Sequence, residues 1–205
     1  MLERFWGFFF IHKENQRMNY NDYQRLFSEI LNGNITDSPY TDPHYLDYVK
    51  LNESRQNRWL KTGKLSTETR STIQSIATEQ HWLLITEPWC GDAAHSIPFI
   101  VKMAELNPLI KLSFQLRDSK ESEINHYLTN GGKSIPILIV RDKEGKDLFF
   151  WGPRPSECQS LYLNLKASNA SFEEQKVTLQ QWYNENKGSD LQQEICDLLI
   201  KSVPS

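Results

Sequence analysis

The chain has 205 residues, 39% of them hydrophobic and 12% aromatic, which suits one domain with additions or one domain and a small second one. Its formal net charge of −3, with no strong basic stripe, argues against a nucleic-acid-binding protein. Cys90, Cys158 and Cys196 are odd in number and far apart, so they make no disulfide framework, and a reducing compartment, the cytoplasm, is expected.

The first apolar stretch, Phe5 to Ile11, is seven residues long. A spanning helix needs about 20, so no transmembrane segment is expected. His12 to Arg17 offers no small-residue cleavage site, and from Met18 onward the chain reads as an ordinary domain start. Residues 1–17 are therefore read as an upstream extension rather than domain, with a weak surface tether as the alternative.

Residues 18–62 read as a helical N-terminal extension. Tyr23, Phe27, Ile30 and Leu31 recur at helical spacing up to Asn32-Gly33-Asn34, and a second helix is expected from about 42 to 60. The remainder, 63–205, reads as the main domain with C-terminal helices. Ser66 is a candidate cap for a helix over about 67–79. Trp82 to Thr86 is a continuous apolar run that fits a strand covered on both faces. A helix over about 92–106 follows, with Pro98 inside it. Leu109 to Leu116 alternates as a strand, and a short helix over 120–128 should bury Ile124, Tyr127 and Leu128. Pro136–Val140 and Leu148–Trp151 form a hairpin around Asp142–Lys146. A helix over 172–186 ends at Gly188, and Asp190 is a candidate cap for a last helix, with Gln193 as its box partner. The alternation predicts an α/β fold with a mixed central sheet flanked by helices.

The chemistry concentrates in Thr86-Glu87-Pro88-Trp89-Cys90-Gly91-Asp92-Ala93 and in Ser134-Ile135-Pro136. The first segment puts a lone cysteine where a buried strand turns into a helix. There, first-turn N–H groups and the helix dipole favour a thiolate. Asp92 opposes this by like-charge repulsion. His95 has no second ligand spaced near it and reads as structural, and the other histidines form no metal-binding pattern, so no metal site is expected. Arg117 and Asp118 read as a solvated loop pair at the same edge of the sheet.

These segments, in this order and setting, resemble the thioredoxin superfamily over about residues 66–151. Trp89, Cys90 and Gly91 match the start of its motif, Pro98 falls at its helix kink, and Ile135-Pro136 matches its hydrophobic-residue–cis-proline pair. The resemblance implies a thioredoxin-like fold with Cys90 as the catalytic thiol. It also implies a substrate groove formed by Trp89, Gly91, Asp92, Ile135 and Pro136, in which the Ile135 backbone pairs with an extended substrate. Trp89 would be an apolar wall beside the thiol. Two departures matter. Ala93 stands where the second cysteine belongs, and Leu84 where the buried acidic residue often lies. The chain is thus expected to run monothiol thiol–disulfide exchange, without a cofactor, with protein or low-molecular-weight thiols and disulfides as partners. An external thiol such as glutathione would reset it, with Cys158 the nearer internal candidate and Cys196 the other. The alternative is a non-catalytic thioredoxin-fold module that binds proteins or peptides.

Overall fold

A computed structural model describes residues 17–202 of the chain. The expectation for residues 1–17 thus falls, Arg17 apart, outside the described residues. Helix α1 (Tyr20–Leu31) starts at Asn19, whose side chain accepts the Asp22 N–H at 3.0 Å. It buries Tyr23, Leu26, Phe27 and Ile30. Tyr23 stacks on Phe114 with centroids 4.9 Å apart, so the expected extension helix packs onto the sheet. Helix α2 (Pro43–Thr62) follows, capped by Asp42 with Pro43 in its first turn. Helix α3 (Thr67–Gln74) is capped by Ser66, as expected, but stops short of residue 79. Asn107 takes the carbonyls of Ile73 and Ile76 at 2.9 Å each, which satisfies the helix end early.

Strand β1 (Gln80–Thr86), helix α4 (Gly91–Glu105) and strand β2 (Ile110–Leu116) form the parallel unit. Strands β3 (Ile137–Asp142) and β4 (Asp147–Trp151) form the hairpin, and the sheet order is β2-β1-β3-β4. β1 pairs parallel with β2 and antiparallel with β3. In the hairpin turn, Asp142 accepts the N–H groups of Glu144 and Lys146. At the outer side of β2, Met18 exchanges both backbone hydrogen bonds with Phe114, at 2.9 and 2.8 Å. The core runs through β1 and β3, where Trp82, Leu84, Ile85 and Ile137 to Val140 are fully covered.

Two further expectations need correction, and one helix has no expected counterpart. The helix over 120–128 is one 3-10 turn, Glu123–His126, and Leu128 is exposed rather than inward. The following Tyr127 is drawn out of helical geometry toward Asp147 and Arg141. Asp190 does not cap the last helix, because α7 (Ser189–Ser202) already includes it, and its N–H donates to Asn186. Finally, helix α5 (Ser156–Ala167) is not among the predicted elements. Its apolar side chains make no single stripe, and only Cys158 is buried. Helix α6 (Phe172–Asn186) matches the expected span.

The helices lock onto α4 through Phe99. A Cβ on Gly188, whose φ is +77°, would stand 2.7 Å from the Phe99 ring, and one on Gly63 would stand 2.9 Å from it. Glycine at both positions lets two chain segments close on one aromatic ring.

Candidate functional site

Cys90 caps α4 from an extended backbone conformation, with φ −78° and ψ 116°. This places the sulfur at the head of the helix, as the sequence pattern requires. The N–H groups of Ala93 and Asp92 lie near enough to favour an anionic sulfur, although the thiol makes no capping hydrogen bond with the helix. The thiol donates to the Ile135 carbonyl at 3.4 Å, and the Ile135–Pro136 bond is cis. The two segments singled out in the sequence therefore meet. Gly152 supports their meeting from behind. Its φ is +128°, and a Cβ there would lie 2.2 Å from the Pro136 carbonyl oxygen.

Burial decides the state of the sulfur. Cys90 is 6% exposed. Burial first, and then the Asp92 charge, push its thiol up to about 12, against the opposing pull of the Ala93 N–H and Arg154. The helix dipole is outweighed, and the resting residue is a neutral thiol. Its donation to Ile135 requires that proton.

Asp92 is not free. Arg154 Nη2 meets its Oδ2 at 2.6 Å, and the Tyr183 hydroxyl donates to Oδ1 at 2.9 Å. Arg154 comes from the loop after the cis Gly152–Pro153 bond. It donates to Gln159 at 2.9 Å and lies 4.2 Å from the Tyr162 ring centroid. Cys158, fully buried at the start of α5, has its thiol pushed up to about 12 by burial and then by Asp92, with Tyr183 beside it. Tyr183 thus contacts both Asp92 and Cys158. Cys196 lies on α7 near Thr69 and Thr72, and all three cysteines are free.

Trp89 is not an open wall. Tyr45 meets its ring edge-on at 5.8 Å and the Arg117 guanidinium covers it at 4.6 Å. Arg117 also pairs with Asp118 through two hydrogen bonds, at 2.8 and 2.6 Å, so this pair belongs to the site's rim rather than to a detached loop. Gly91 is half-buried beneath Arg55, whose Nη1 would lie 3.6 Å from a Cβ there.

Two features went unrecognised in the sequence. The first is α2. Its buried stripe is Val49, Asn52, Gln56 and Trp59, and Asn52 donates to the Pro88 carbonyl at 3.0 Å. Helix α2 therefore roofs the motif loop. The signal was available: two amides on an apolar helical stripe need buried partners. The second is Glu87, 4% exposed, which accepts the Asp118 N–H at 3.0 Å. Burial pushes its carboxyl up to about 7, with Asp118, Arg117 and Tyr40 facing it.

His95 is structural, as expected. Trp59 Nε1 donates to its Nδ1 at 2.9 Å, so the ring's own proton sits on Nε2, 3.2 Å from Gln180 Oε1. Tyr183 stacks on it at 4.4 Å. Burial, then Arg55, push it down to about 3. Among the described residues no cluster of metal-ligating side chains occurs, and no helix is long and apolar enough to cross a membrane.

A parallel β-α-β unit with a thiol at the head of its helix, facing a cis-proline that opens a hairpin, defines a thioredoxin-like fold. The chain belongs to the thioredoxin family: a family model described as Thioredoxin matches residues 40–171. The match begins well before residue 66 and takes in α2. No curated protein matches the chain. Among solved structures, a protein of unknown function from Pseudomonas aeruginosa is similar with a TM-score of 0.54 at 15% identity, covering 78% of this chain and 86% of that one. An HIV epitope-scaffold is similar with a TM-score of 0.54 at 15% identity, covering 91% of this chain and 99% of that one. At such identities the likeness concerns the fold.

Proposed function

We propose that this protein carries out thiol–disulfide exchange through Cys90 as a single thiol, reset by an external thiol. The observation that carries the reading is the Cys90 thiol at the head of α4, bonded at 3.4 Å to the carbonyl beside cis-Pro136, with Ala93 where a second motif thiol would stand.

The same hydrogen bond suggests how a neutral thiol is recruited. An extended partner strand that pairs with the Ile135 backbone offers its own N–H to the Ile135 carbonyl. The thiol then loses the acceptor that held it, and the small ionised fraction reacts, its proton passing to solvent. The Cys90 thiolate attacks one sulfur of the partner disulfide; a new S–S bond forms, the old one breaks, and the departing thiolate takes up a proton. A second thiolate, from glutathione or a protein, attacks the partner's sulfur and returns Cys90. Three free cysteines suit such work in a reducing compartment, the cytoplasm.

Native protein treated with glutathione disulfide should gain one adduct at Cys90, absent in Cys90→Ser, and dithiothreitol should remove it. Absence of the adduct at pH 8.5 from folded protein that becomes modified on unfolding would refute exchange. A second reading is favoured by the burial of the thiol: a non-catalytic groove beside Ile135 that binds peptides. Unchanged partner capture by Cys90→Ala would assign it.

A further inference from the structure

Asp92 and Arg154 are the part of the site that the exchange step leaves unused. The Asp92 carboxylate stands in the first turn of α4, where its charge disfavours an anionic sulfur on Cys90. It is held elsewhere by several groups. Arg154 Nη2 lies 2.6 Å from Oδ2, the Tyr183 hydroxyl donates to Oδ1 at 2.9 Å, and the Arg55 charge also faces it. The pair is nearly dry, with side chains 13% and 15% exposed. Charges in such a place are poorly screened, so a carboxylate stripped of its counter-ion would act strongly on a neighbouring sulfur. Arg154 is itself fixed, by Gln159 at 2.9 Å and by the Tyr162 ring at 4.2 Å. It arrives on the loop that Gly152 presses against Pro136. One loop therefore sets both the cis-proline wall and the counter-ion of Asp92.

We propose that Arg154 is a positioning residue for Cys90: it draws the Asp92 carboxylate onto itself and leaves the N–H groups of Asp92 and Ala93 to face the sulfur. The inference rests on the reading of Cys90 as the exchanging thiol. It demands an asymmetry. Loss of Arg154 silences the thiol, loss of Asp92 wakes it, and once Asp92 is gone the loss of Arg154 costs far less, because only its weaker direct pull on the sulfur remains. A merely structural role for Arg154 would not give that order.

The test is the alkylation rate of Cys90 by iodoacetamide across pH 7–10, read on the Cys90 peptide by mass spectrometry in the full chain. Arg154→Met should slow alkylation about tenfold relative to wild type at each pH, and Asp92→Asn should speed it. The Asp92→Asn/Arg154→Met double variant should match Asp92→Asn within about twofold. Arg154→Lys, which keeps the charge but loses the fork, should fall between wild type and Arg154→Met. It also decides the matter if Arg154→Met does not fold, since a rate equal to wild type overturns the proposal. So does a double variant slower than Asp92→Asn by the full Arg154→Met factor. Alkylation needs no disulfide partner. Exchange that fails while this order holds therefore refutes the proposed function alone, and the converse refutes this inference alone.

Discussion

Replacing Asn52 by alanine removes a side chain that ties α2 to the backbone of the motif loop. Asn52 is fully buried, donates to the Pro88 carbonyl at 3.0 Å and accepts from Arg55 at 3.0 Å. Two hydrogen bonds at about 1 kcal/mol each are lost, and the buried Pro88 carbonyl left unsatisfied adds about 1–2 kcal/mol, giving roughly 3 kcal/mol in all. The shorter side chain also leaves a gap directly over the loop carrying Trp89 and Cys90. Urea unfolding followed by tryptophan fluorescence gives the first number. Cys90 alkylation under native conditions gives the second, and it should accelerate at least tenfold as the roof loosens. A loss below about 1 kcal/mol together with an unchanged alkylation rate would show that α2 lies on the loop without holding it.

Two further outcomes follow from burial and close packing. Glu87 keeps its proton in the folded protein up to about pH 7, whereas an unfolded glutamate ionises near its ordinary value of about 4.3, so its contribution to stability is full at low pH and is lost as pH rises toward 7. His95 acts in the opposite sense: kept neutral down to about 3, its contribution is present above about pH 6.5 and is lost as pH falls. The two slopes oppose one another between about pH 4.5 and 6.5, each at most about 1.4 kcal/mol per pH unit. Urea midpoints of wild type should therefore change little across that window, while those of Glu87→Gln should climb with pH; a flat Glu87→Gln profile would contradict the assignment. Gly188→Ala should cost about 2 kcal/mol through its φ of +77° and its 2.7 Å approach to Phe99, and a Phe99→Leu background should return part of the loss in a thermal melt.

The elements that position the sulfur were legible because each has one strong local signal. Trp82 to Thr86 is apolar without interruption, Leu109 to Leu116 alternates, and Cys90 and Pro136 stand at the ends of such runs. The state of the sulfur was not legible. It depends on Asn52, Arg154 and Tyr183, which come from three distant elements and reach the site only through tertiary packing. Helix α5 escaped notice for a related reason: its apolar residues form no stripe, and Leu163 is left exposed. The burial of Glu87 has no local signal, because a carboxylate after a strand ordinarily lies in solvent, and here the turn at Asp118 and the distant Tyr40 enclose it.

The pairing of Met18 with Phe114 bears on how the sheet meets other chains. A border strand with free amide and carbonyl groups is a template for unwanted association. Midway along β2 that template is already taken by the protein's own backbone, so an intruding strand must first displace residue 18. The opposite border, β4, is paired among the described residues on its β3 side only and carries the half-exposed Phe150. Stray strand addition should therefore begin at β4, which makes Phe150 the position where a lysine would best block it.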